Sequence, residues 1–252
     1  MHHDQKLKAI EEHVIQEHRQ SPVATYLKEV IYGGIDGIIT TFAVVAGFSG
    51  AALTNEITTQ LSFVVVLLFG LANLFADAVS MGLGNFLAVR SDQSQYCSIR
   101  EKERKEMLEN TERELLETKT ILIQKGFNEE DAGTLTALYR KNETYWLDFM
   151  MNHELKMPDP TEDNPAFTGL ATFLSFIFFG AIPLLPFMLF RTLEPQDLFL
   201  LASVGVFFAL LLLSILKWKI IRANLWSSIF EVMLIGGVAA CVAFFVGSLF
   251  TL

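Results

Sequence analysis

The sequence predicts an all-α membrane protein with five transmembrane helices and a helical, water-facing domain inserted between the second and third of them. The 252 residues are 52% hydrophobic and yet carry a formal net charge of −9. A soluble acidic domain is seldom both so apolar and so charged. The two properties also occupy different segments, because residues 91–165 hold 17 Asp+Glu against 10 Lys+Arg. We therefore expect four parts: an N-terminal segment at 1–29, transmembrane helices one and two at 30–90, the inserted domain at 91–165, and transmembrane helices three to five at 166–252.

Five apolar segments reach or approach the length that crosses a bilayer. A helix needs about 20 apolar residues to cross a hydrocarbon core of ~30 Å. The segments are residues 30–53, 61–89, 166–190, 198–216 and 225–250. The second would form about 43 Å of helix, so we expect its C-terminal end to project into water.

The basic residues orient the chain. The loop 54–60 contains no Lys or Arg and the loop 191–197 contains one, whereas the loop 217–224 contains three. Loops rich in Lys and Arg stay in the cytoplasm. Under a five-span count, the basic flank of the first span and Arg90 lie on the same side as the loop 217–224. The N-terminal segment, the insert and that loop are therefore predicted to be cytoplasmic, with the C-terminus on the other side.

The N-terminal segment, residues 1–29, is polar and charged, with no apolar stretch of the kind found in a secretory signal. Its histidines at positions 2, 3, 13 and 18 fit an exposed amphipathic helix better than a metal-scavenging segment. The two cysteines of the chain lie in a polar and a lipid-like segment, so we expect no disulfide between them.

Two carboxylates occur at membrane depth within stripes of small residues. Small residues at helical spacing are typical of closely packed membrane helices, and packing explains the glycines of the first two spans. It does not explain Asp36 and Asp77, because a carboxylate there costs at least ~2.5 kcal/mol and usually faces a cavity, an ion path or a proton relay. We predict a functional role for both. Glu231 is a weaker candidate, since it lies only six residues into its span.

Glycine and proline indicate where helices end. Residues 180–186 contain one glycine and two prolines, which should break or kink the third span. In the insert, Gly126 marks a helix end and Asn128 is a candidate N-cap for the next helix. Pro158 and Pro160 end the domain.

The insert presents carboxylates and thioethers at helical spacing. The candidate residues are Glu103, Glu106, Glu114, Glu117, Met150, Met151 and Glu154. The first four share one helix face, because the two pairs are offset by almost three whole turns. They would extend over about 21 Å of a straight helix. They are therefore too spread for one ion, and we expect the set to converge around two or more cations, with the helix bent near Asn110 or a second chain completing each cluster.

Two interpretations of this set remain open from the spacing alone. The first is a solvated face with Glu–Lys pairs, together with methionines packed in a core. The second is a site for a divalent cation, because clustered carboxylates bind hard or borderline cations and a thioether disfavours Mg²⁺ and Ca²⁺. Zinc or copper fits less well, because no cysteine is near the set and His153 is the only imidazole there.

Three runs of residues resemble the vacuolar iron transporter family of plants, fungi and their bacterial relatives. They are YGGIDGIITTFAVVAG at 32–47, AVSMGLGNFL at 78–87 and WLDFMMNHEL at 146–155. The likeness covers about residues 26–252 and includes the position of the insert. It implies a homodimeric transporter, coupled to protons, that moves Fe²⁺ and often Mn²⁺ out of the cytosol.

The resemblance also implies roles for particular residues. In that family the insert is a cytoplasmic metal-binding domain, and its ligand pattern falls on the seven Glu and Met residues named above. The transmembrane ion path falls on Asp36 and Met81. Members of the family carry a Glu in the second span where this chain has Asn73. We predict that Asp77, one turn further along the same face, takes over proton carriage, with Glu231 or Glu29 the next candidate.

Two function classes follow: a metal-cation transporter, or a membrane-anchored buffer or sensor that binds cations on the insert without moving them. Asp36 and Asp77 favour transport, because a buffer needs no charge at membrane depth. An enzyme is disfavoured, since no nucleophile–base pair or zinc-protease motif is visible. The acidic balance disfavours nucleic acid as a partner. We expect metal ions, protons, lipid and a second copy as partners, Fe²⁺ or Mn²⁺ as substrate and no separate cofactor. The location would be the cell membrane in a prokaryote or the vacuolar membrane in a eukaryote.

Overall fold

The computed structural model describes residues 26–52, 59–190, 193–221 and 224–249. The predicted N-terminal helix and its histidines lie outside these residues. The helices are α1 (Leu27–Ala52), α2 (Thr59–Glu109), α3 (Thr111–Gln124), α4 (Glu129–Tyr139), α5 (Glu143–His153), α6 (Pro165–Gly180), a 3-10 turn (Ile182–Leu184), α7 (Leu185–Leu189), α8 (Pro195–Ile221) and α9 (Leu225–Leu249). All regular structure in the described residues is helical, which confirms the all-α prediction.

Five helical segments are long and apolar enough to cross a membrane. They are Leu27–Ala51, Val64–Glu109, Pro165–Leu189, Gln196–Lys219 and Leu225–Leu249. The five predicted spans are therefore confirmed by length and composition. The chain divides into two compact units, one comprising Met1–Asn85 with Phe167–Leu252 and the other comprising Phe86–Ala166. Helix α2 contributes its apolar part to the first unit and its charged part, from Arg90 onward, to the second.

Glycine lets the helices of the first unit approach closely. A Cβ atom on Gly37 of α1 would lie 2.5 Å from the carbonyl oxygen of Phe176 on α6. One on Gly180 would lie 2.8 Å from the Gly37 carbonyl oxygen. These glycines therefore serve helix packing, as predicted. Gly84 on α2 differs, because a Cβ there would meet no atom of the described chain within 4 Å.

The third span breaks where its glycine and prolines predict. Helix α6 ends at Gly180, a 3-10 turn follows, and α7 begins at Leu185. The break brings Leu184, which is fully buried, against α2. Its Cδ2 would lie only 2.6 Å from a Cβ on Gly70, so the glycine of α2 makes room for the kinked span.

The second unit has its own apolar core, formed by Tyr96, Met107, Leu122, Ala132, Trp146, Leu147, Phe149, Met150 and Met151. Arg100 of α2 donates to Asp148 of α5 at 2.8 Å and ties these two helices together. Asn128 caps α4, because its side-chain oxygen accepts from the backbone N–H of Asp131 at 2.8 Å. This cap was predicted from the sequence.

A helix break at Asn110 shapes the unit. Helix α2 ends at Glu109 and α3 begins at Thr111, with Asn110 at φ −125° and ψ 39°. The structure thus has the bend near Asn110, one of the two alternatives left open by the sequence, and residues 91–124 do not form one straight helix. Further along, Gly126 has a φ of 105°, a left-handed conformation that glycine adopts at little cost.

Candidate metal centre

Three carboxylates of the second unit converge. Glu103, Glu114 and Glu154 each offer one oxygen, and these oxygens lie within 4.8 Å of one another. They come from α2, α3 and the C-terminal cap of α5. In a straight helix, positions 103 and 114 would be about 16 Å apart, so the break at Asn110 is what gathers them. We call these three residues the carboxylate cluster.

Two oxygens of the carboxylate cluster are buried and lack a hydrogen-bond partner among the described residues: Oε1 of Glu103 and Oε2 of Glu154. The Glu103 side chain is almost fully enclosed, with 4% of its surface exposed. Buried polar atoms are nearly always hydrogen-bonded, and leaving one unpaired costs on the order of 1–3 kcal/mol. A bound cation would satisfy both oxygens.

Burial and mutual repulsion make the carboxylate cluster hard to ionise. Burial, followed by the charges of Glu154 and Glu114, raises the pKa of Glu103 from 4.5 to about 7. Burial, followed by the charge of Glu117, raises the pKa of Glu154 to about 7. The pKa of Glu114 is raised for the same two reasons, burial first. Positive charge placed between these groups would reverse the effect, because it favours the ionised forms.

Glu106 and Glu117 border the carboxylate cluster and also form ion pairs. Glu106 lies 3.4 Å from Lys102 and Glu117 lies 2.8 Å from Arg113, both at i,i+4 spacing. These two residues therefore fit the solvated-face interpretation, whereas the carboxylate cluster fits the cation-site interpretation. Both acids still act electrostatically on Glu114, so they add negative potential at the cluster.

The two predicted methionine ligands lie in the apolar core. Met150 and Met151 have no exposed surface. The Met150 sulfur accepts a hydrogen bond from the Thr118 hydroxyl at 3.3 Å, and the Trp146 indole N–H donates to the same hydroxyl oxygen at 2.7 Å. Sequence analysis missed Thr118 and Trp146. The usable signal was their spacing, because each lies one helical turn from a candidate ligand.

The membrane acids of the first unit also come together. Asn73 donates its side-chain amide to Asp77 Oδ2 at 2.7 Å, and Asp77 is close enough to Asp36 to act on it electrostatically. All three side chains are partly buried. Met81, on the same helix, packs against the apolar core of the unit. Asn73 and Asp77 are thus hydrogen-bonded on α2, and the Asp77 charge acts on Asp36 of α1.

Glu231, the fifth residue predicted for the ion path, is paired elsewhere. Its carboxylate accepts from the Lys217 ammonium at 2.7 Å, and 55% of its side chain is exposed. This ion pair joins the C-terminal part of α8 to the first part of α9. Any role of Glu231 in the path stays a prediction.

Comparison with known proteins gives consistent matches over most of the chain. Residues 27–248 match the sequence model of the VIT family. The chain is 34% identical over 244 residues to the vacuolar iron transporter of Toxoplasma gondii, covering 94% of this chain and 78% of that protein. It is 32% identical over 218 residues to vacuolar iron transporter 1 of Arabidopsis thaliana, covering 86% of this chain and 83% of that protein. Vacuolar iron transporter 1 of Oryza sativa subsp. japonica is likewise 32% identical, over 219 residues, covering 86% of this chain and 82% of that protein.

Proposed function

Because the chain belongs to the VIT family, the family of the vacuolar iron transporters, we propose that it moves Fe²⁺, with Mn²⁺ as a second substrate, out of the cytosol in exchange for protons. The chain is a multi-pass membrane protein and a metal transporter rather than an enzyme. The direction of transport, the proton coupling, the second substrate and a homodimeric assembly are the parts that we propose. By analogy with its vacuolar relatives, the membrane would be the vacuolar membrane in a eukaryote and the cell membrane in a prokaryote.

The observation that carries the proposal is the carboxylate cluster with its two unpartnered buried oxygens. Three carboxylates from three helix segments offer oxygen ligands to one cation, and Glu106 and Glu117 lie close by as further acids. Carboxylate oxygens suit Mn²⁺ among the first-row metals, and Glu-rich sites between helices hold iron as well as manganese in di-iron and di-manganese carboxylate proteins. We propose that this cluster takes up the cation before transport.

Asp36 and Asp77 support transport over mere storage. A membrane-anchored buffer would need the carboxylate cluster alone, whereas an ion path needs charge at membrane depth. The two carboxylates repel one another across α1 and α2, and a cation between them would relieve this repulsion. We propose that Asp36, Asp77 and Met81 line the path.

The proton step is assigned to Asp77. By the family resemblance Asn73 takes the place of a Glu, and in the structure it donates a hydrogen bond to Asp77. In the proposed cycle the carboxylate at that depth takes up a proton and becomes neutral, and an arriving cation favours the ionised form and releases the proton. In this scheme Asn73 orients Asp77, and Asp77 alternates between holding a proton and facing the cation.

The test is flux in sealed proteoliposomes, with Fe²⁺ and Mn²⁺ compared with and without a pH gradient. We expect the pH gradient to drive the accumulation of both cations inside the liposomes. We expect Glu103→Gln to reduce their uptake. Glu112→Gln is the matched control, since Glu112 is an exposed acid two residues from Glu114. Cation binding without any flux would mean that the chain is a buffer, and flux unaffected by the gradient would refute proton exchange.

A further inference from the structure

Trp146, Thr118 and Met150 form a buried chain of hydrogen bonds beside the carboxylate cluster. The Trp146 N–H donates to Thr118 Oγ1 at 2.7 Å, and the Thr118 hydroxyl lies 3.3 Å from Met150 Sδ. Thr118 and Met150 have no exposed surface and Trp146 has 3%. A fully buried thioether with a polar neighbour is an arrangement that apolar packing alone does not require.

Met150 and Thr118 each lie one helical turn from a residue of the carboxylate cluster. Glu114 and Thr118 occupy successive turns of α3, and Met150 and Glu154 occupy successive turns at the end of α5. Since Glu114 approaches Glu154 and Thr118 contacts Met150, these two stretches run antiparallel. The offset along the helix axis is about 6 Å. A methionine side chain has three rotatable bonds, and rotation about them would turn the thioether toward the carboxylate cluster.

Thr118 can release the sulfur without leaving a buried group unpaired. Its hydroxyl has one proton and two acceptors, the Glu114 carbonyl oxygen at 2.7 Å and the Met150 sulfur at 3.3 Å. The carbonyl is the stronger acceptor, because a thioether accepts only weakly. When the sulfur leaves, the Thr118 hydroxyl still donates to the Glu114 carbonyl oxygen, and the Trp146 N–H still donates to the hydroxyl oxygen.

We propose that Thr118, oriented by Trp146, is a positioning residue that holds the Met150 thioether beside the carboxylate cluster and releases it as a ligand to a thiophilic divalent cation. This inference rests on the proposed function, because it requires that the carboxylate cluster binds the cation. Its consequence is selectivity. A thioether ligand favours softer cations over Mg²⁺ and Ca²⁺, so Thr118 helps the site to reject these abundant hard ions.

Calorimetry on the full chain in detergent micelles tests the proposal, with Cd²⁺ as the thiophilic probe and Mg²⁺ as the hard one. Thr118→Val replaces the hydroxyl by a methyl group of similar volume, and Thr118→Ser keeps the hydroxyl. We expect Thr118→Val and Met150→Leu each to lower the preference for Cd²⁺ over Mg²⁺ by roughly ten- to a hundredfold, the usual effect of losing a group that orients a ligand. Thr118→Ser should retain the preference, and Thr118→Val should add nothing to Met150→Leu.

Two results would overturn the assignment of Thr118. One is an equal loss of affinity for both cations in Thr118→Val. The other is a further loss of preference in the Thr118→Val, Met150→Leu double variant that equals the loss caused by Thr118→Val alone. Cd²⁺ binding that is unchanged by Glu103→Gln would have a different meaning, because it would refute the carboxylate cluster as the binding site and with it the proposed function.

Trp146 fluorescence gives a second measurement, which cation binding would not change if Thr118 served only the packing of the core. Trp146 is the one tryptophan of the second unit, since Trp218 and Trp226 lie in the first and are exposed. In a Trp218→Phe, Trp226→Phe background, Cd²⁺ should shift the Trp146 emission, because the Met150 sulfur leaves the hydroxyl to which the indole N–H donates. Mg²⁺ should not shift it. Emission of a buried indole before cation is added shows that each variant is folded. A Cd²⁺ shift that persists in Met150→Leu would contradict the proposed release of the sulfur.

Discussion

Glu103 shows what a single buried acid contributes to this protein. It is enclosed by the second unit, one of its oxygens has no partner within the described structure, and two further carboxylates lie against it. Such a residue weakens the metal-free fold, because a buried charge without compensation is costly. The same features favour cation binding, since the cation then relieves a repulsion that is already present. Stability and metal affinity are therefore linked through protons at this residue.

The linkage predicts how stability changes with pH. The pKa of Glu103 and Glu154 in the folded chain is about 7, against an ordinary value of 4.5. Below the ordinary value both states hold their protons and the full stability is present. As pH rises toward the folded pKa, the unfolded chain releases its protons first, so the free energy of unfolding of the metal-free protein falls.

Thermal melts with a chelator, followed by Trp146 emission in the Trp218→Phe, Trp226→Phe background, should therefore give a lower midpoint at pH 8 than at pH 5. Added Mn²⁺ should raise the midpoint more at pH 8, because it competes with fewer protons. Glu103→Gln should flatten the pH profile of the metal-free protein. A midpoint that rises from pH 5 to pH 8 would contradict the assignment of the raised pKa values.

Thr41 offers a second prediction at the scale of one residue. Its side chain is fully buried in α1, and its hydroxyl has no hydrogen-bond partner within the described parts of the chain. Thr41→Val exchanges this hydroxyl for a methyl group of similar size, so we expect stabilisation of about 1 kcal/mol. The measurement is the thermal midpoint in detergent micelles. Thr40→Val is the control, because the Thr40 hydroxyl donates to the Asp36 carbonyl at 2.9 Å. A gain in Thr40→Val that equals the gain in Thr41→Val would show that the missing bond is not the cause.

At the scale of elements, the helix ends of the second unit determine the candidate metal centre. The break at Asn110 keeps α3 from continuing α2 in a straight line, and the C-terminal cap of α5 places Glu154 near Glu103 and Glu114. Neither helix end depends on a recognisable metal-binding motif in the sequence. Helices that end in the right places bring together acids that a continuous helix would keep apart.

The helix caps differ in strength, which can be measured. Asn128 accepts a hydrogen bond from the Asp131 N–H, whereas the side chain of Asn110 makes no such bond at the start of α3. Asn128→Ala should therefore cost about 1 kcal/mol of stability, and Asn110→Ala clearly less. Melts monitored by Trp146 emission compare the two variants directly. A larger loss in Asn110→Ala would mean that its side chain holds the bend in a way that the structure does not contain.

The sequence predicts some of these elements well and others poorly, for physical reasons. The five spans follow from apolar length alone, and the break after Gly180 follows from proline chemistry. The bend at Asn110 could be inferred because Glu103 and Glu114 were too far apart on a straight helix. The sequence could not show which of the seven candidate ligands join the carboxylate cluster, which form ion pairs and which lie in the apolar core. Whether Met150 faces the core or the carboxylates depends on how α5 packs against α3, and helix spacing does not encode that angle.

At the scale of the whole molecule, the candidate acids form two separate groups, one in each unit. The second unit gathers Glu103, Glu114 and Glu154, and the first unit gathers Asp36 and Asp77. Each unit has its own apolar core. Substitutions in one unit should therefore leave the chemistry of the other largely intact, and binding and transport can be separated by experiment.

Substitution of the membrane acids tests this separation. Asp36→Asn removes a charge with little change in volume, so it should abolish Fe²⁺ flux in proteoliposomes while cation binding measured by calorimetry persists. Asp77→Asn should keep part of the flux and lose its dependence on the pH gradient. Asp197→Asn, at an exposed acid of α8, is the control. Gradient-driven accumulation in Asp77→Asn would remove Asp77 as the coupling residue, and wild-type flux in Asp36→Asn would make Asp36 structural.

The empty surroundings of Gly84 have a genetic consequence. Glycine inside a helix costs about 1 kcal/mol relative to alanine, and no neighbour in the described chain would clash with a side chain at this position. An allele with leucine at position 84 should therefore encode a chain that folds at least as well as the parent. If cells carrying that allele lose metal tolerance, the defect lies in a contact that one chain alone does not make, and a second-site suppressor screen would locate the surface on which it depends.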